Sequence, residues 1–400
     1  MHHYTSVTAK TFTFTAPKTE EIWSMTVPGL AFSGSSHLAD AILAVAALHL
    51  RSLTPDDKDV VRASHAYMAA SLAEYSATLT KGIDKTNAES LFLTASLIAF
   101  QSTATRVFQK DELSLETSFG ADGVGKVWNS APGRYAIPMA WFSSFQGVKT
   151  IVAESWQWLR TSPVVAQVIS SQAALDLDLS TGPETFFGHL LEGLDEELAA
   201  MAPASGMGNI PSPINNGASP GTGSSDSWTR PGTPELITST RTAYQHAVAV
   251  LNWAHKIPHK GMPLAFPATV SRRFIELLKE ERPRAMAILA CFFALLKPMD
   301  NVWWLNGMAR REVLGVMSLF NSDFFGPDAY RKWSPHLEWA MRIAVYEPGP
   351  DGIIPPDIWG ADWDAEEKAR AVGPGAADYF RHIEMMTQMG QMLSEPSFPS

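Results

Sequence analysis

The chain has 400 residues, 46% of them hydrophobic and only 18% charged, a composition that excludes a disordered chain and permits a sizeable core. With 31 basic against 41 acidic residues the net charge is -10, which argues against a nucleic-acid partner held mainly through phosphate contacts. The single cysteine, Cys291, excludes an intrachain disulfide and a multi-cysteine zinc site made from these residues.

The N-terminus, Met1-His2-His3-Tyr4-Thr5, has no basic stretch leading into an apolar one, so no secretory signal is expected. No apolar run is long enough to span a bilayer; the longest, 41–50 and 285–296, read as core helices. Together with the cysteine usage this points to a reducing, cytoplasmic setting. A first helix is predicted over 37–51, where Leu38, Ile42, Val45 and His49 fall at helical spacing. Thr54-Pro55-Asp56 breaks it and caps a second helix over 58–79. A third, over 87–102, has a wide apolar face of Leu91, Phe92, Ala95, Ile98 and Ala99. The Gly-rich stretch 108–134 reads as an elaborated loop. Helical spacing returns over 139–159, with Trp141, Phe145, Val148 and Val152 on one stripe.

The stretch 203–234 contains Pro-Ser-Pro, Asn-Asn-Gly and Ser-Pro-Gly-Thr-Gly-Ser-Ser and almost no core residues. It cannot offset its own ordering entropy and is expected to be a disordered insertion inside one domain. Helices are predicted beyond it over 236–255, 271–279, 285–297, 301–320 and 335–345, with one more at 376–393. Residues 347–400 form a C-terminal extension of the same domain. Strand-like alternation is nearly absent, and the expectation is an all-α fold in a single domain over 1–400.

Several segments together carry a family resemblance: His2-His3-Tyr4-Thr5-Ser6-Val7-Thr8, Val27-Pro28-Gly29-Leu30-Ala31-Phe32, the helix Leu38 to Leu50, Asn87-Ala88-Glu89-Ser90-Leu91-Phe92, and Asp300-Asn301-Val302-Trp303-Trp304-Leu305-Asn306-Gly307. In this order and spacing, over roughly the first three-quarters of the chain, they resemble the regulatory domain of fungal zinc-cluster transcription factors of the sterol-uptake-regulator type. The resemblance implies a helical fold around an apolar ligand pocket. In that family a six-cysteine zinc cluster precedes the domain, and here Met1 stands where the domain begins, so the chain is expected to lack its own DNA-reading part. The family's self-association adds the expectation of a homodimer without a membrane span or direct nucleic-acid contact.

The chain is also similar to a small group of atypical fungal sesquiterpene cyclases, the humulene synthases, which share this domain without the zinc cluster. That resemblance implies a Mg²⁺-dependent lyase of secondary metabolism that ionises farnesyl diphosphate, an isoprenoid diphosphate. It carries the diphosphate-gripping lysine to Lys297 and the product-determining position to Phe293. An ammonium at Lys297 would stabilise the departing diphosphate; the structural alternative is a lysine at a helix C-terminus reaching out to solvent. Asp300 is either the N-cap of the next helix or a Mg²⁺ ligand. Asn306 falls on the apolar stripe of the predicted helix 301–320 and therefore needs a partner, in the core or in a pocket. Arg310, one turn on, is a surface base or a second diphosphate contact. Glu154 and Asp40 lie on otherwise apolar helices, as boundary residues or metal ligands. Trp141, Phe145, Phe293, Trp303 and Trp304 would line an apolar interior, facing a carbocation in a cyclase or a sterol in a sensor. His3 and His49 are weighed as acid–base groups, with His49 expected to be a hydrogen-bonded core residue. The acidic runs 195–197 and 362–367 read as solvated segments. Cys291 lies in an apolar helix, unsuited to a thiolate. The leading expectation is the cyclase, in the cytoplasm; the alternative is a sterol-binding transcriptional regulator acting in the nucleus.

Overall fold

The computed structural model describes residues 1–12, 20–116, 135–170, 181–201, 233–256, 262–349 and 354–360. Among them no strand occurs and helices dominate. The expected insertion up to residue 232, the helix at 376–393 and the acidic run 362–367 lie outside the described residues.

The N-terminal part starts with α1 (His2–Ser6), a 3-10 turn (Thr8–Phe12) and a π-helical turn (Ile22–Thr26) that runs into α2 (Val27–Phe32). Then come α3 (Ser36–Leu53), α4 (Lys58–Lys81) and α5 (Ala88–Glu116). The cap of α4 is Asp57, whose carboxylate accepts from the N–H groups of Asp59 at 3.0 Å and Val60 at 3.2 Å, one residue beyond the predicted signal. Helix α5 runs past Phe108 to Glu116, so the predicted loop at 108–134 begins as helix. The reason is in the sequence: 109–116 contains neither Gly nor Pro, and the glycines start at Gly120. Within α5, Ala88–Phe108 is apolar and long enough to cross a bilayer, contrary to the sequence expectation. It is nonetheless 61% buried and packed between α3 and α6 (Met139–Leu159), which is the behaviour of a core helix. Buried side-chain bonds fix this layer. His37 Nδ1 meets Thr94 Oγ1 at 2.8 Å, Ser71 donates to the His37 carbonyl, and Gln101 donates to that of Ala41.

The remaining helices are α7 (Pro163–Ser170), α8 (Leu194–Met201), α9 (Pro234–Lys256), α10 (Phe266–Thr269) and α11 (Arg272–Lys279). They are followed by α12 (Pro283–Leu295), α13 (Met308–Met317), α14 (Pro327–Val345) and the short α15 (Pro356–Trp359). Two boundaries differ from the sequence reading. The predicted helix 301–320 survives only as α13, because 301–307 forms turns that end at Gly307 with φ of 66°. Turn-forming residues, Asn301 and Asn306-Gly307, outweigh the apolar periodicity there. Helix α14 starts at Pro327 rather than 335, and Pro335 lies inside it. A proline within a periodic run hides the first half of a helix from pattern reading.

The core has two clusters. One surrounds α12, in which every residue from Arg284 to Leu295 is buried. The other joins α1, α2 and α3 to the facing sides of α5 and α6. Phe100 of α5 packs against both. Arg284 is fully buried at the start of α12, and its guanidinium ties down the chain around α8. It pairs with Glu197 Oε2 at 2.8 Å and donates to the carbonyls of Leu190 and Glu192. The Trp333 ring of α14 lies 5.1 Å from it. Removing this side chain strands one carboxylate and two carbonyls, a loss of about 3–5 kcal/mol. Arg284→Met is therefore expected to lower unfolding stability by roughly that amount in urea titrations, and Glu197→Gln by less. A change within about 0.5 kcal/mol, the range of ordinary surface substitutions, would show that the pair does not hold α8 in place.

Candidate functional site

The chain leaves α12 at Leu295 and, with Pro298 unable to continue the helix, turns through Lys297–Met299. Lys297 is only 5% exposed, so it does not reach out to solvent. Its ammonium lies 2.7 Å from Asp300 Oδ2. Burial pushes the Asp300 carboxyl up despite this cation, and Asp300 Oδ1 has no hydrogen-bond partner. Asp300 is not an N-cap, since α13 starts only after Gly307.

The two tryptophans that follow meet the seam between the clusters. Trp303 stacks on His49 of α3, with ring centroids 4.8 Å apart and planes within 16°, and its indole N–H donates to Thr11 Oγ1 at 3.1 Å. Trp304 lies 4.7 Å from the Phe100 ring. His49 Nδ1 meets Thr8 Oγ1 at 3.0 Å, and the His3 ring stands 5.0 Å away. Burial, then the neighbouring His3, hold His49 down at about 4, so it is a neutral, hydrogen-bonded core residue. Three of the family-like segments, those with His3, His49 and Trp303, thus converge in space. Sequence reasoning missed Thr8, Thr11 and Phe100. The first two are small hydroxyl residues with no periodicity to mark them, and Phe100 looked like one more apolar position.

The other predicted residues scatter. Trp141 and Phe293 meet at 5.9 Å between ring centroids, both fully buried beside Phe292. Phe145 is half-buried against the same cluster. Asn306 is exposed on the turn rather than on a helical stripe. Arg310 is exposed and pairs with Glu347 at 3.2 Å. Asp40 is half-buried on α3 and Glu154 is exposed on α6. Among the described residues no three His, Cys, Asp or Glu side chains gather to hold a metal, so Asp40, Glu154 and Asp300 provide no common donor set for Mg²⁺. Of the run 195–197, Asp195 pairs with Arg241 and Glu197 with the buried Arg284, so it is not simply a solvated face. Burial pushes the Cys291 thiol far up, away from thiolate chemistry. A groove of about 640 Å³ beside α14, lined by Phe320, Pro327, Tyr330 and Pro335 among others, involves none of the predicted site residues.

No family model matches the chain. It is 47% identical over 406 residues to a Gibberella zeae protein named "Zn(2)-C6 fungal-type transcription factor", an alignment that covers 100% of this chain and 71% of that protein. It is 25% identical over 320 residues to "Sterol uptake control protein 2" of Candida albicans, and 26% identical over 318 residues to its namesake in Saccharomyces cerevisiae. Those alignments cover 78% and 77% of this chain but only 38% and 29% of the two yeast proteins. These relatives are named as regulators, which overturns the expectation of a lyase of the terpene-cyclase type.

His49, His246 and His255 are each held at about 4, chiefly by burial, below the ordinary imidazole value of about 6.5. The unfolded chain therefore binds protons that the folded chain refuses. Stability is fully present above about pH 6.5 and is lost as pH falls towards about 4. Urea midpoints are expected to drop over that window, and His49→Gln to flatten part of the slope. Midpoints that stay constant between those two pH values would contradict the buried, neutral state of these rings.

Proposed function

Because the chain belongs to the fungal Zn(2)-C6 transcription-factor family, we propose that it is the ligand-responsive regulatory region of a transcriptional regulator, working in the nucleus on an apolar ligand of the sterol class. The observation that carries this reading is the alignment of the whole chain, at 47% identity, with a relative named as such a factor. The sterol class is suggested by the names of the two yeast relatives, which align with more than three-quarters of the chain.

The side chains are compatible with the reading. The interior is rich in aromatic and aliphatic groups and contains few charges outside paired sites, which suits an apolar guest better than a charged one. Lys297 is engaged by Asp300 and is not offered to a ligand. One cysteine cannot build a Zn(2)-C6 cluster, so the contact with DNA is assigned to residues outside these 400, in the same polypeptide or in a partner.

Two measurements test the proposal. The purified chain is expected to bind a fluorescent sterol saturably, read as energy transfer from its 13 tryptophans. Fused to a heterologous DNA-binding domain, it is expected to change reporter transcription when cellular sterol is depleted. Absence of saturable binding would remove the sterol, and a reporter indifferent to sterol would remove the regulatory role.

A further inference from the structure

The 3-10 turn Gly188–Leu191 carries the chain towards α8 and packs against α9 and α12. Its half-buried His189 meets half-buried His336 of α14, 147 residues away, with 2.9 Å between the two Nδ1 atoms. The ring planes differ by 9° and the ring centroids are 5.2 Å apart. That separation is close to the largest that a 2.9 Å contact between two ring nitrogens allows. The rings therefore lie edge to edge in one plane, and the contact is in line. A metal ion does not fit between them, since two bonds of about 2.0–2.1 Å in line would hold the nitrogens about 4 Å apart. The contact is a hydrogen bond with one proton between two nitrogens, so one ring carries its hydrogen on Nδ1 and the other on Nε2.

Such a bond takes up protons in two steps that belong to the pair. The first proton, added to Nε2 of the donor ring, leaves the bond in place and makes it charge-assisted. The second has only the acceptor's Nδ1 to go to, where it sets two N–H groups face to face. Burial, then the neighbouring His336, lowers the pKa of His189, against the pull of Glu192. Burial also lowers that of His336, against Glu192 and together with Arg284 of α12 and Lys332 of α14. Glu197 of α8 is already paired with Arg284, and the group that α9 presents is His255, behind the Phe187 ring and held at about 4 by burial. The bond is therefore fully present above the ordinary imidazole value of about 6.5 and is lost as pH falls below it. Doubly protonated, the pair would set its charges beside those of Arg284 and Lys332. We propose that His189 and His336 form an acid-released latch: one shared proton fastens the segment 188–192 to α14, and a second parts the rings and lowers the cost of opening that segment together with α8. Arg284 still holds the carbonyls of Leu190 and Glu192 from α12, so the release is a local loosening and not an unfolding of the domain. The latch is independent of the sterol reading above.

The test is hydrogen exchange of the full 400-residue chain, read by mass spectrometry and corrected for the intrinsic rate at each pH. Protection of 188–201 is taken relative to that of 285–295 in α12, which divides out the acid loss of global stability. Between about pH 7.5 and about pH 5, on either side of the ordinary imidazole value, this ratio is expected to fall at least tenfold. His336→Gln is expected to keep the ratio high and nearly constant, because an amide can donate to neutral His189 or, flipped, accept from its charged form. His336→Ala is expected to give a low ratio at both pH values. A second measurement needs no variant: nitrogen-15 NMR of the histidine rings is expected to show one Nδ1–H and one Nε2–H tautomer in the pair at high pH, and a two-step titration whose second step lies below that of exposed His65. A ratio that stays constant in the wild type, a fall that persists unchanged in His336→Gln, or two rings that titrate independently in single steps would overturn the proposal.

Discussion

Helix α12 has no solvent face. From Arg284 to Leu295 each residue is buried, so the chain has to surround this helix with others on all sides. Helices α9, α11, α13 and α14 do so directly. Burial of such a helix is favourable at about 25 cal/mol per Å² of apolar surface, but only if the charges that flank it are paired. At the N-terminal end the Arg284 guanidinium is satisfied by Glu197 and two carbonyls, and the Lys297–Asp300 pair follows the C-terminal end. The two charged residues that flank the most apolar stretch of the sequence are thus what allows it to be enclosed.

Glu312 repeats this logic on α13. It is fully buried, accepts from the guanidinium of Arg106 on α5 at 2.9 Å and from the Tyr135 hydroxyl at 2.7 Å, and lies beside Arg311. The Tyr135 ring then passes so close to Gly315 that a β-carbon there would fall 2.2 Å from it. A glycine in mid-helix, costly in itself, is therefore needed for the approach of a neighbouring ring.

The long periodic helices were legible in the sequence because periodicity and breakers agreed: α6 has the predicted bounds 139–159, and α3 and α4 lie within two residues of theirs. Reading failed where two local signals competed. Between 301 and 307 apolar spacing argued for helix and Asn-Gly chemistry for a turn, and the turn prevailed. At Pro335 the breaker was real but the helix tolerated it. The site was less legible. The pairing of Lys297 with Asp300 was foreshadowed by their spacing of three, yet each had been assigned a separate task. No pattern could show that Thr8 and Thr11 would meet His49 and Trp303, because those contacts join residues 41 and 292 positions apart. The family-like order of segments carried more functional information than any single side chain.

The two halves of the core are held by interactions of different strength. Around α12 the neighbours are pinned by buried ion pairs, each of which costs about 3–5 kcal/mol to break. Across the seam at Phe100 the N-terminal segment is held by ring stacking and by two hydroxyl contacts, at Thr8 and Thr11, the latter kind contributing about 0.5–1.5 kcal/mol each. Local opening follows the weaker set of contacts. The segment before α3 is therefore expected to open at a smaller cost than the shell around α12, while α5 stays tied to α13 by the buried Arg106–Glu312 pair. A ligand shifts a conformational equilibrium only by its difference in affinity for the two states. An apolar guest able to replace the lost ring contacts at Phe100 and Trp304 would have such a difference at the seam, where a modest binding energy suffices.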